Sequence, residues 1–110
     1  MAITKQEAIQ RMLENTHSLF TVEGGNEIAE AFGIKFDAPT YKADGDKNPK
    51  GLTLNNGDKE AKGFACFDLA PMICHRLNIF YPEKMGRGFQ VRACCEALDE
   101  HFGLKVISHV

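Results

Sequence analysis

The sequence predicts an α+β fold of about four helices packed on a small, mostly antiparallel sheet. Three observations carry this expectation. Four segments repeat apolar residues at helical spacing between recognisable start and stop signals. Two short stretches alternate on either side of a polar loop containing glycine and proline, the pattern of a hairpin. The last six residues alternate and are rich in β-branched side chains, which suit a strand. At 110 residues, 44% hydrophobic and 25% charged, the chain fits one compact domain over 1–110. A chain of that size buries roughly 65% of its unfolded surface, enough for a modest core.

The first helix is expected over 5–16. Thr4-Lys5-Gln6-Glu7 forms a capping box, in which the Thr4 hydroxyl accepts from the Glu7 amide and the Glu7 carboxylate reaches back. Ala8, Ile9, Met12 and Leu13 supply its apolar face. Gly24-Gly25 reads as a break. Asn26 then caps a short second helix over 27–32, closed by Gly33 in the left-handed conformation. Ile34-Lys35-Phe36 alternates like a short strand, and Ala38-Pro39 blocks further helix. Residues 44–51 form the tip of a central hairpin between 40–42 and 52–54, and Asn56-Gly57 marks a second turn.

Asp68 is expected to cap the third helix, with Pro71 in its first turn, where the missing N–H matters least. Leu69, Met72, Ile73, Leu77 and Phe80 make its apolar face, and Tyr81-Pro82 ends it. Gly86 and Gly88 lead into a fourth helix over 88–102 with the stripe Val91, Cys94 or Cys95, Leu98 and Phe102. Gly103 closes it. The tail 105–110 is the C-terminal strand, expected to pair with the hairpin.

Charge and composition exclude several function classes. Thirteen basic and fifteen acidic side chains leave a net charge of −2, too balanced for bulk attraction to nucleic acid or for a polyacidic mimic of it. The balance is uneven, however. Residues 1–46 carry −4 and residues 47–110 carry +2, and Arg76, Lys84, Arg87 and Arg92 face only Glu83 between 75 and 92. No apolar run reaches the roughly 18 residues of a membrane span, and the N-terminus lacks the apolar core of a signal peptide. A cytoplasmic protein without a membrane partner is therefore expected. In that setting Cys66, Cys74, Cys94 and Cys95 are expected to stay reduced and to pack as small apolar side chains.

Five places invite a chemical reading. Residues 28–34 have the small-residue and glycine spacing of a helix-turn-helix, but Lys35-Phe36-Asp37-Ala38-Pro39 opposes a recognition helix. In the basic 76–92 segment, Gly86-Arg87-Gly88 at a helix start can offer amides and a guanidinium to an anion. Arg92 lies one turn on, and Tyr81 and Phe89 add a stacking surface. Cys66, Cys74, His75, Cys94, Cys95 and His101 suffice in number for zinc, but no Cys-x-x-Cys knuckle is present. Asp44-Gly45-Asp46-Lys47-Asn48 begins like a calcium loop, then Pro49 replaces the glycine and Asn55 the glutamate. Cys74 and His75 are adjacent, so on a helix they point about 100° apart and do not form a nucleophile pair.

The expected function is that of a small non-enzymatic binding protein acting on a protein or nucleoprotein partner, as compact accessory proteins of phages and mobile elements do. Its contact residues are Arg76, Tyr81, Lys84, Arg87, Gly88, Phe89 and Arg92, with the 41–52 hairpin as a second contact. No cofactor or metal is expected, and homo-oligomers are compatible with the sequence. Direct nucleic-acid binding through the basic 76–92 segment is the alternative. A Cys/His metal-binding protein or thiol-dependent enzyme is the third reading.

Overall fold

Residues 2–36, 40–42 and 60–107 are described by the computed structural model of the chain. Their elements run α1 (Lys5–Glu14), β1 (Leu19–Phe20), α2 (Val22–Glu30), β2 (Thr40–Lys42), β3 (Glu60–Lys62), β4 (Phe64–Ala65), α3 (Cys66–Leu77) and α4 (Arg87–Phe102). The α+β class holds, with helices dominating and the strands confined to two short antiparallel pairs among the described residues.

Thr4 starts α1 as expected, its Oγ1 accepting from the Glu7 N–H at 3.0 Å. The Glu7 carboxylate turns forward instead of back and takes Arg11 Nη2 at 2.8 Å. Arg11 also pairs with Glu27, tying α1 to α2. The helix stops two residues early because the Asn15 side chain donates to the Arg11 carbonyl at 2.8 Å and competes for the last turn.

The second helix corrects the sequence reading. Gly24-Gly25 does not break the chain; α2 runs through both, capped by Thr21 Oγ1 accepting from the Gly24 N–H at 3.0 Å. Gly25 is there for contact, since a Cβ at this position would fall inside the Phe64 ring. Asn26 is a buried mid-helix residue and not a cap. Its Oδ1 accepts from the Phe36 N–H at 2.8 Å and its Nδ2 donates to the Phe36 carbonyl at 3.1 Å. With that backbone taken by a side chain, Ile34-Lys35-Phe36 forms no strand. Gly33 does close the helix at φ +78°, and the Ile34 N–H returns to the Ala29 carbonyl at 3.1 Å.

β1 pairs with β4, Leu19 opposite Ala65 and Phe20 opposite Phe64. β2 pairs with β3 through Thr40–Lys62, Tyr41–Ala61 and Lys42–Glu60. The return strand therefore lies at 60–62. The expected partner at 52–54, the 44–51 tip with its calcium-like residues, Asn55, the Asn56-Gly57 turn and the Ala38-Pro39 stop lie outside the described residues.

The Cys66 N–H donates to the Ser18 carbonyl at 3.0 Å, so α3 begins straight out of β4, two residues before Asp68. Asp68 is a first-turn residue facing the helix dipole, not the cap. Pro71 falls in the second turn, where it removes the donor due to the Phe67 carbonyl. The helix ends at Leu77 because Asn78 adopts the left-handed conformation (φ 57°) and the Ile79 N–H closes onto the Cys74 carbonyl at 2.9 Å. Phe80, expected on the apolar face, is consequently 86% exposed.

α4 starts after Gly86 (φ +95°) and closes at Gly103 (φ +61°) as expected. The C-terminal strand does not form over residues 105–107. Lys105 is left-handed (φ 61°), and the buried Asp99 carboxylate accepts from the Val106 N–H at 2.8 Å and the Ile107 N–H at 3.3 Å. Those amides are satisfied by a side chain, which leaves no ladder for a strand. Residues 108–110, including His109, lie outside the described residues.

The helices pack around one apolar cluster. Ile9, Met12, Ile28, Leu69, Ile73, Val91 and Leu98 are fully buried with all four cysteines, each large side chain contributing about 2 kcal/mol by leaving water. α3 and α4 run in parallel, with Arg87 over the Phe67 ring at their starts and Cys74 beside Cys94 midway. α1 runs antiparallel to α4: Lys5 lies over Phe102 at one end, and Thr16 and His17 meet Gly88 at the other. Among the described residues no helix is long and apolar enough to cross a membrane.

Candidate functional site

The antiparallel packing of α1 and α4 brings the end of one helix to the beginning of the other and leaves a cleft of about 450 Å³ between them. Leu13 lines it from α1, with Thr16 and His17 just beyond the helix end. Gly86, Arg87, Gly88, Phe89 and Arg92 supply the other wall. Gly88 faces the end of α1: a Cβ here would stand in ordinary van der Waals contact, 3.6 Å from His17 Nε2 and 3.7 Å from Thr16 Oγ1. Phe89 projects outward, 70% exposed.

The cations of the cleft are held in place to different degrees. The Arg87 guanidinium lies 4.3 Å from the centre of the Phe67 ring, a cation–π contact that restricts an otherwise flexible side chain. Arg92 Nε reaches Glu96 Oε2 at 3.4 Å one turn along, with both side chains exposed. The Lys84 N–H donates to Gln90 Oε1 at 3.0 Å, which ties the approach segment to α4 and leaves the lysine side chain at the surface. α4 has no acidic residue in its first turn, whereas α1, α2 and α3 carry Glu7, Glu23 and Asp68 there. No residue of α4's own first turn therefore offsets the positive end of its dipole.

Arg87, Gly88, Phe89 and Arg92 thus come together, with Lys84 close by in the chain. Two other expected site residues do not join them. Arg76 lies over the Phe36 ring at 5.1 Å. Tyr81 turns to His75, its hydroxyl 2.8 Å from Nε2 and the rings edge to face, so it builds no stacking surface with Phe89. Leu13, Thr16 and His17 are not among the site residues expected from the sequence, because they stand some seventy positions away at another helix end and form no motif with Arg87.

The sulfur and imidazole groups are dispersed or buried. Cys74 Sγ sits 3.7 Å from the Cys94 carbonyl oxygen, and Gln90 Nε2 faces Cys94 Sγ at 3.8 Å. Donation to Cys94, then burial, raises Cys74 above the ordinary thiol range, while Cys94, accepting from Cys74 and Gln90, is held below it. Burial pushes Cys66 up to about 12 and Cys95 well above its ordinary value. His101 packs edge-on against Phe102, away from the thiols. Among the described residues no group of three or more His, Cys, Asp or Glu side chains is arranged to hold a metal ion.

A larger depression of about 690 Å³ runs between Phe80 and the outer face of α4 near Ala93 and Ala97. It is lined by Glu96 and Glu100 and is chemically unlike the cationic α1–α4 cleft. The chain matches no family model, no curated protein and no solved structure.

Proposed function

We propose that the chain is a single-domain, cytoplasmic, non-enzymatic binding protein that engages a protein or nucleoprotein partner through residues 80–92. One observation carries this reading. Among the described residues, the large apolar side chains left exposed are Leu19, Phe80, Met85 and Phe89, and three of these fall within ten residues of one another. They alternate with Lys84, Arg87 and Arg92. Exposed aromatic and methionine side chains set among arginines have the composition of an interface centre.

Affinity capture from the native host followed by cross-linking tests it. A partner cross-linked to 80–92, retained by the wild-type chain and lost on combining Arg87→Ala with Phe89→Ala, supports the proposal. A partner held equally by the double variant removes it.

Direct nucleic-acid binding is the second reading, favoured by the convergence of Arg87 and Arg92 at the α4 start. With Arg76 engaged elsewhere, Lys84, Arg87 and Arg92 remain, so the salt dependence should correspond to about three phosphate contacts. A gel shift across a salt series separates the two readings. The thiol-dependent reading has less support, since a nucleophilic cysteine needs an accessible thiolate and Cys66, Cys74, Cys94 and Cys95 are all buried.

A further inference from the structure

The α1–α4 cleft combines an apolar interior with a cationic rim. Leu13 and Phe89 face it from opposite helices, and Arg87, Arg92, His17 and Thr16 surround them. No carboxylate is among its lining residues. Each cation is suited to exchange onto a ligand. Arg87 lies over the Phe67 ring, which restricts its orientation while the side chain stays exposed at the cleft. The Arg92–Glu96 pair is exposed and long at 3.4 Å, a weak pair that an incoming carboxylate can displace. Thr16 and His17 add polar side chains beside Gly88.

We infer that this cleft docks a short acidic peptide segment of a partner protein, an aliphatic or aromatic side chain entering between Leu13 and Phe89 while flanking carboxylates meet Arg87 and Arg92. Charge complementarity selects the acidic class. The apolar interior selects a peptide over a nucleic-acid backbone, because a phosphodiester chain would cover Leu13 and Phe89 without filling the space between them. A volume of about 450 Å³ takes one large side chain and its adjoining backbone. The inference rests on the binding-protein reading and deepens it by naming the partner's chemistry.

Fluorescence polarisation tests it, with a labelled nonapeptide of aspartate and glutamate flanking a central Leu-Phe pair. Three comparison probes are used: the same peptide with Ser-Ser at its centre, the peptide with lysine in place of its acids, and a single-stranded oligothymidylate. The acidic Leu-Phe peptide should bind at least about tenfold more tightly than any of the three. Arg87→Ser and Phe89→Ser should each weaken it about tenfold. Phe89→Leu should restore most of the binding, and Lys35→Ser, an exposed position that does not line the cleft, should leave it unchanged.

No binding at low salt overturns the inference, as does equal binding of the Ser-Ser peptide or of the oligothymidylate. Affinity indifferent to both Arg87→Ser and Phe89→Ser overturns it too. So does a dimer in sedimentation velocity that Phe89→Ser abolishes, since a second copy would then fill the cleft. A host partner whose cross-links map to Phe80 and Met85 but spare the cleft would overturn only this inference and leave the binding-protein reading standing.

Discussion

Asn26 clamps the backbone of Phe36 with both ends of its amide, accepting from the N–H at 2.8 Å and donating to the carbonyl at 3.1 Å. All of these groups are buried. Asn26→Ala would leave one donor and one acceptor without partners in the interior, which should destabilise the fold by about 3 kcal/mol. Asn26→Asp keeps the acceptor for the Phe36 N–H but loses the donor to its carbonyl, and it places a carboxylate in the interior. Urea denaturation of the two variants reads the losses. A midpoint unchanged by Asn26→Ala would mean that the clamp does not hold residues 34–36.

Gly25 is constrained by Phe64 rather than by its own backbone. Gly25→Ala should overpack the contact between α2 and β4 and destabilise by about 2 kcal/mol. Trimming the ring with Phe64→Leu should recover part of that loss, so the two changes should be non-additive by about 1 kcal/mol. Thermal melts of the two single variants and the double variant measure the coupling. Strict additivity would show that the helix does not approach the ring as closely as it does here.

These two residues also mark where the sequence stopped being readable. α1, α4 and the body of α3 were legible because their signals are local: Thr4 as cap, Gly103 as terminator and apolar residues at helical spacing. Gly24-Gly25 carried the local signal of a break, but Thr21 and Phe64, four and thirty-nine positions from Gly25, decide the outcome. The tail carried the local signal of a strand, and Asp99 captures its amides instead. The candidate site was legible by halves for the same reason. Arg87, Gly88, Phe89 and Arg92 share one helix turn and its neighbour. Leu13, Thr16 and His17 reach them only through the antiparallel packing of α1 and α4, which no pattern in the sequence encodes.

The buried thiols should report on folding and not on catalysis. At neutral pH, iodoacetamide should leave Cys66, Cys74, Cys94 and Cys95 unlabelled until denaturant opens the core, as mass spectrometry of the intact chain would show. Rapid labelling of the native chain at any of them would contradict their burial.

Cys66 makes a pH prediction with a definite sign. Burial raises it to about 12 in the folded chain, against about 8.5 for an unfolded cysteine. Between those values the unfolded chain has lost a proton that the folded chain keeps, so stability falls as pH rises through that window. The limit is about 1.4 kcal/mol per pH unit for one thiol. Below about pH 8 the contribution is fully present. Urea midpoints from about pH 8 to about pH 10 should decline for the wild type, and less steeply for Cys66→Ala. Equal slopes would assign the decline to other groups.

Arg87 and Phe89 should be dispensable for folding. Phe89 is 70% exposed and Arg87 is exposed, touching the body of the protein through the Phe67 ring. Exposed substitutions of this kind usually change stability by no more than about 0.5 kcal/mol. Arg87→Ala and Phe89→Ala should therefore melt within a few degrees of the wild type, with unchanged far-ultraviolet circular dichroism. Leu98→Ala, in the fully buried interior, should lose about 3 kcal/mol. If both surface variants melted like Leu98→Ala, Arg87 and Phe89 would be structural residues. On the binding-protein reading, Phe89 is kept in solvent beside Arg87 for contact with a partner, so surface variants that fold like the wild type leave that proposal standing, whereas ones that unfold it would assign Phe89 to the fold.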